Sequence, residues 1–318
     1  MSSLTDVPVG SPPFRHEALF YAGDDEYLKG TVPYVEGGLA AGEPVLVVVP
    51  QDRLDLLREA LPTGNPLLQL ADMEAIGRNP ARIIPAWADF VLPLLAEGRT
   101  SRGIGEPIWP GRSAEELTEC TWHETLINTA FGEAAGFSLL CPYDTTGLDP
   151  SVIEAAYSTH PLAGPPDGIA PSSSYRTDLP TCPEEPLSPI PEDARWLPFD
   201  EHGHPELRRM VRTAAVSVGL EPDTVDDVVL AVNEAVVNTV RHGGGIGRLC
   251  TWRDDGAFLC EVRDGGHIRD PLAGRRRPPV DRAGGRGLWL ITQLSDLVQI
   301  RQLDGEQAIR IRISDTGR

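Results

Sequence analysis

A carboxylate, an amide and an imidazole recur at steps of four in the C-terminal third of the chain: Glu234, Asn238 and His242. On a helix, that spacing puts all three on one face. Glu234 has the chemistry of a general base that poises a hydroxyl or a water, and the Asn238 amide oxygen is a hard ligand suited to Mg2+. Further on, Asp264 is followed by Gly265 and Gly266. A carboxylate at that point can accept a hydrogen bond from an exocyclic amine, while glycine lets a flat base approach the backbone. Gly284-Gly285-Arg286-Gly287 then runs into a predicted helix. The free N–H groups and dipole of that helix, together with Arg286, favour phosphate. Each element alone arises often by chance; the three in this order form a strong signal.

The elements that must hold these groups are legible around them. A long helix opens at Glu221-Pro222-Asp223, with proline and acids where a helix start prefers them, and stops at Gly243. Valines and alanines at 225, 228, 229, 232, 235, 236 and 240 give it an apolar face. His242 reads as a residue of the helix C-terminus, favoured there by the dipole, rather than as a catalytic group. A helix is predicted over Pro205–Ser217, strands over Leu197–Phe199, Arg248–Trp252, Ala257–Val262, Val298–Arg301 and Ala308–Ile313, and a helix over Leu288–Leu294. Helices on one side of an antiparallel or mixed sheet make an α/β sandwich.

The N-terminal half alternates differently. Strands are predicted over Ala18–Tyr21, Val45–Val49, Leu67–Leu70, Gly103–Trp109 and Phe137–Cys141, with helices near 25–41, 51–60, 80–97, 113–131 and 150–158. The unbroken apolar run Val45–Val49 suits a central strand covered on both faces, so a mostly parallel α/β sheet is expected. Such sheets bind ligands beyond the carboxyl ends of their strands. Tyr21-Ala22-Gly23-Asp24 follows the first strand without the glycine-lysine pattern of a phosphate-binding loop. His16, Tyr21, Glu106, Trp122, His123 and Tyr143 are the candidates for an aromatic small-molecule pocket. A metal site from His16, Cys120, His123 and Cys141 has no ligand spacing behind it. Residues 162–195, rich in proline and acids with no helical or strand period, read as an extended, partly flexible connector.

With 318 residues the chain accommodates two domains, and a net charge of −19 argues against direct nucleic-acid binding. The basic exception is local, from Arg269 to Arg286. No apolar run approaches the roughly 20 residues of a membrane span. The N-terminus lacks the pattern of a signal peptide, and five cysteines without a CxxC pair suit a reducing compartment, so a cytoplasmic protein is expected.

Two resemblances follow from these residues. His16–Tyr21, residues 38–50 (GLAAGEPVLVVVP) and Leu139–Asp144 resemble the methanogen/methylotroph sensory (MEDS) domain over residues 14–161, after a polar arm at 1–13. That resemblance implies a RecA-like α/β fold without its nucleotide loop, and a small-molecule ligand. Asn233–Gly243, Val262–Gly266 and Gly284–Leu288 resemble the three boxes of the GHKL (Bergerat) ATPases, in particular the bacterial anti-sigma factor serine kinases, over residues 196–318. That resemblance implies ATP and Mg2+ as cofactors, a serine or threonine of an anti-anti-sigma antagonist as substrate, and a sigma factor as partner. Glu234 would be catalytic, Asn238 would hold Mg2+, and Asn238, Asp264, Gly266, Gly285, Arg286 and Gly287 would bind ATP. A homodimer is compatible with either domain.

One departure stands out: His267 and Ile268 follow Gly266, where the second box continues to another glycine. A non-catalytic, nucleotide-binding regulator that sequesters a partner is therefore the alternative to a kinase. A sensor histidine kinase built on His204-Pro205-Glu206-Leu207-Arg208 is disfavoured, since only thirty positions separate His204 from Glu234.

Overall fold

The computed structural model describes residues 12–62, 64–178, 180–202, 204–279 and 285–314. Most of the polar arm, Arg282 and Gly284 therefore lie outside the described residues. The chain divides into two compact units, Met1–Leu179 and Pro180–Arg318.

In the first unit, β1 (Arg15–Tyr21), α1 (Gly23–Ala40), β2 (Val45–Val49), α2 (Gln51–Ala60), β3 (Leu68–Asp72), α3 (Met73–Gly77), α4 (Ile83–Ala96), β4 (Ser101–Gly105), α5 (Ala114–Phe131), β5 (Phe137–Asp144) and α6 (Pro150–Thr159) succeed one another. They are followed by two short strands, β6 (Leu162–Gly164) and β7 (Ala170–Pro171). The strand order is β3-β2-β4-β5-β1-β6-β7, parallel except for the β6–β7 pair. Helices α1 and α2 pack on one face, where Leu19, Tyr21, Val45, Val47, Val49, Ile104 and Leu140 are buried against Tyr27, Val35, Leu54 and Leu57. The opposite face takes Trp87 of α4, which lies over Gly103 and Gly105. This is the expected parallel α/β layer.

Three local expectations change. The fourth strand ends at Gly105 instead of Trp109: Pro107 carries no N–H for a ladder, so the chain leaves the sheet just after Glu106 N donates to Val48 O at 3.0 Å. The helix expected at 80–97 begins as a 3-10 turn, Pro80–Arg82, capped by Asn79. The proline-rich stretch contributes β6, parallel to β1, and β7, because backbone pairing to an existing strand needs no side-chain period.

In the second unit, β8 (Leu197–Phe199), α7 (His204–Val218), α8 (Pro222–His242), β9 (Gly247–Asp254), β10 (Ala257–Asp264), α9 (Arg286–Leu294), β11 (Leu297–Leu303) and β12 (Glu306–Ile313) form an antiparallel sheet of order β11-β12-β10-β9-β8 with the helices on one face. That face buries Leu249, Phe258, Cys260, Val262, Val298, Ile309, Ile311 and Ile313 against α7, α8 and α9. The alternation puts Glu261 and Arg310 on the other face, also buried. Helix α7, which His204 opens, packs on α8 and shares this core as an integral helix of the unit. Among the described residues, no helix is long and apolar enough to cross a membrane.

Candidate functional site

Helix α8 is set by its ends and its stripe. Pro222 occupies the first turn, Asp223 lies beside it, and Arg241 and His242 sit in the last turn, before Gly243 N returns to Thr239 O at 2.7 Å. Val225, Val228, Ala231, Val232, Ala235 and Val236 go into the core. Glu234 and Asn238 are left half-buried along the stripe's margin, and His242 is exposed.

Strand β10 is the centre of its sheet, and its last residue, Asp264, is paired with both Gly247 and Gln307. The Asp264 carboxylate is fixed by two donors: Thr239 Oγ1 at 2.6 Å to Oδ2, and Gly266 N at 2.7 Å to Oδ1. Gly243 covers the carboxylate so closely that a Cβ there would lie 2.4 Å from the Asp264 carboxyl carbon. A carboxylate offers about four lone-pair positions, so capacity remains for an amine.

Gly285, at φ +80°, caps α9, and Gly287 sits directly over α8: a Cβ on Gly287 would fall 2.8 Å from Asn238 Oδ1 and 3.1 Å from Glu234 Oε2. Only glycine allows that approach. The start of α9, with Arg286 exposed beside it, is thus brought to the Glu234–Asn238 pair. Among the described residues, Asn238 Nδ2 is buried with no hydrogen-bond partner. An amide NH2 left this way can donate to an acceptor such as a phosphate oxygen. The oxygens of Asn238 and Glu234 are of the hard type that Mg2+ takes.

Beyond Gly266 the chain is tied to the β11–β12 hairpin. His267 Nδ1 meets Gln302 Oε1 at 2.8 Å, and Ile268 N donates to Gln307 Oε1 at 2.7 Å. Arg275 is buried, Arg276 is exposed, and the Arg277 guanidinium lies 6.0 Å from the Trp289 ring centre. Residues 276–279 are not helical, as Pro278-Pro279 requires.

In the first unit, the six candidate pocket residues fall into separate groups. Tyr21 OH donates to Glu106 Oε1 at 2.8 Å at the strand ends, under the Arg53 guanidinium, which is 5.2 Å from the Tyr21 ring centre. On the other face, Tyr143 meets His160 edge-on, with centroids 5.6 Å apart, and the His160 ring lies 4.0 Å from that of His16. Trp122 and His123 are buried on α5. Burial, with His160 beside it, pushes the His16 imidazole down to about 4.

Burial also pushes the Glu106 carboxyl up to about 8, against the opposing pull of the Tyr21 hydroxyl. The native state then holds a proton that the unfolded chain has released above its ordinary value near 4, so stability falls as pH rises through this interval. His16 no longer contributes above its unfolded value of ~6.5. Between pH 7 and 8, wild-type stability is therefore expected to fall by about 1 kcal/mol through Glu106. Urea unfolding of the full chain should show this slope and its flattening in Glu106→Gln; an unchanged slope in the variant refutes the assignment.

Residues 15–161 match the MEthanogen/methylotroph, DcmR Sensory domain family, and residues 197–313 match the histidine kinase-like ATPase domain family. The chain joins a MEDS domain to a histidine kinase-like ATPase domain. Over 128 residues it is 28% identical to the anti-sigma F factor of Clostridium acetobutylicum, covering 36% of this chain and 88% of that protein. It is also similar to a solved structure of the RsbU and RsbW domains of Rv1364c from Mycobacterium tuberculosis, at 18% identity and a TM-score of 0.28 over 38% of this chain; it spans 32% of that chain's length.

Within the ATPase domain, α8, β10 and α9 thus bring Glu234, Asn238, Asp264, Gly266, Gly285, Arg286 and Gly287 to one end of the sheet. Sequence reasoning missed Thr239. Its signal was a hydroxyl on the apolar side of α8, where burial demands a partner. In the MEDS domain it missed His160, which lies just beyond a helix end.

Proposed function

We propose that this protein is an ATP-dependent anti-sigma regulator. Its ATPase domain binds ATP with Mg2+ and phosphorylates a serine or threonine of an anti-anti-sigma antagonist; without that antagonist it holds a sigma factor. The MEDS domain makes the activity responsive to a small molecule in the cytoplasm. The observation that carries this reading is the convergence of Asp264, fixed by Thr239 and Gly266 N, with Gly287 laid over Asn238 and Glu234. The similarity to an anti-sigma F factor supports the class of partner.

In this reading the remaining lone pairs of Asp264 accept the adenine amino group, and its fixed orientation rejects a keto group at that position. The first N–H groups of α9 and Arg286 receive the phosphates. Asn238 would hold Mg2+, which supplies neutralisation of the charge on the phosphate oxygens. Glu234 takes the proton of the substrate hydroxyl as its oxygen bonds to the terminal phosphorus; the bond to the bridging oxygen breaks and ADP leaves. Catalysis rests on positioning and charge.

Incubating the full chain with labelled ATP and candidate antagonist proteins should give transfer to serine or threonine. In Glu234→Ala the rate should drop about 10²–10⁴-fold while ATP binding persists. Undiminished transfer in that variant contradicts the assignment. The tie of His267 and Ile268 to the β11–β12 hairpin favours a second reading, sequestration of a partner without transfer. ATP-dependent partner binding with no phosphorylated product among the candidates tested would support it.

A further inference from the structure

On the α5 side of the MEDS sheet, four side chains from four places in the sequence converge: His16 on β1, Glu124 on α5, Cys141 on β5 and His160 just after α6. Parallel pairing sets Ala18 opposite Cys141, so His16, two residues earlier, shares the Cys141 face. All four are at most 1% exposed.

Their electron pairs point inward. Asn128 Nδ2 donates to Thr159 O at 2.8 Å, which leaves Asn128 Oδ1 to accept from His16 Nδ1 at 3.1 Å. His160 Nδ1 donates to Ala156 O at 2.9 Å. Both Nδ1 protons are therefore committed, and both Nε2 lone pairs face the carboxylate: His16 Nε2 is 3.1 Å and His160 Nε2 3.4 Å from Glu124 Oε2. Cys141 Sγ lies 3.4 Å from His16 Nε2 and 3.6 Å from Glu124 Oε2. Among the described residues, His160 Nε2 and Glu124 Oε1 are buried without hydrogen-bond partners. Lone pairs crowded together in a dry interior repel unless a proton or a metal ion lies among them, and the Cys141 thiol donates to Glu124 Oε2 only at 3.6 Å. Protonating both imidazoles would leave a net positive charge with no water to solvate it.

We infer that His16, Glu124, Cys141 and His160 bind one divalent transition-metal ion, with zinc the best chemical match. Two imidazoles, a thiolate and a carboxylate are zinc ligands, and bonds of about 2.0–2.3 Å give tetrahedron edges of roughly 3.3–3.8 Å. Four of the six separations, 3.1 to 3.6 Å, sit close to those edges, and all four ligand atoms lie within 4.8 Å of one another before any ion draws them into place. The Nδ1 contacts of both histidines are the outer-shell bonds that orient metal-binding imidazoles. Of the four residues first considered for a metal, His16 and Cys141 belong to this set. Cys120 instead donates to Pro107 O at 3.3 Å, and Glu124 and His160 complete the site. Four protein ligands close the coordination sphere, which suits a site that ties β1, β5, α5 and α6 together and not a hydrolytic one.

The test uses the untagged full chain, stripped with a chelator and reloaded separately with Zn2+ and Co2+. One equivalent of zinc should be retained after desalting. The Co2+ form should show the visible ligand-field bands of a tetrahedral ion and a thiolate-to-cobalt charge-transfer band. Cys141→Ser should lose the charge-transfer band, His160→Gln should weaken zinc at least 10-fold, and Cys120→Ser should change neither. If a variant does not fold, the cobalt spectrum of the wild-type chain still decides. Failure of the wild-type chain to retain a stoichiometric ion, or a cobalt form without thiolate character, overturns the proposal.

Discussion

Replacing Asp264 with Asn is expected to weaken ATP binding about 100-fold and to erase most of the preference for ATP over GTP. The carboxylate is held by Thr239 Oγ1 and Gly266 N, so it presents fixed acceptors at the end of β10. A hydrogen bond to a charged group contributes about 1.5–3 kcal/mol, or roughly 10- to 150-fold in affinity. Asn keeps one oxygen for one of the two donors but brings an NH2 that competes for the other, so the acceptor for adenine is lost. The same NH2 can donate to the keto oxygen of guanine, which lifts the penalty against GTP. The fold should survive, because the introduced amide can still bond to one donor and the Thr239 hydroxyl can rotate to accept. Parallel titrations of wild type and variant with both nucleotides check this; an ATP affinity within about threefold of wild type would remove Asp264 from the site.

The second large effect is on stability. Glu261 and Arg310 face each other across β10 and β12 on the sheet face away from the helices, 0% and 2% exposed in their side chains. Arg310 Nε and Nη2 donate to Glu261 Oε2 at 2.8 and 2.6 Å, and Nη1 to Ser188 Oγ at 2.7 Å. Arg263 Nε takes the other Glu261 oxygen. Glu261→Ala would leave a guanidinium buried without its counter-charge, a loss expected to cost about 3–5 kcal/mol. Replacing Glu261 and Arg310 together with apolar residues of similar volume should recover most of it. Urea denaturation of the three proteins measures the difference. A single variant within about 1 kcal/mol of wild type would show that water reaches the pair.

These effects rest on features of different visibility in the chain. The α8 face was legible because it is local: the apolar stripe and the carboxylate–amide step both follow one helical period. The three boxes were legible because each is contiguous. The bond from Thr239 to Asp264 spans 25 positions and follows no period, so nothing along the chain announced it. The six pocket candidates were chosen for their place at strand ends and on α5. Placing them needed the alternation of the β1 side chains, which sends His16 to the α5 side and Tyr21 towards α1 and α2. The metal ligands were half legible. His16 and Cys141 sit on paired strands, whereas Glu124 and His160 depend on how α5 and α6 pack, which sequence spacing does not encode. Proline ended β4 earlier than its apolar run implied, and residues 162–164 became a strand through the neighbour they pair with.

Whether Glu234, Asn238, Asp264 and Gly287 form one ATP–Mg2+ site is tested most directly by calorimetric titration of the full chain with ATP, with and without Mg2+. Saturable one-to-one binding that Mg2+ strengthens is the expected result. Asn238→Ala should remove the Mg2+ dependence while the protein stays folded. The absence of saturable binding, or a Mg2+ dependence unchanged in Asn238→Ala, would contradict a single ATP–Mg2+ site built from these residues.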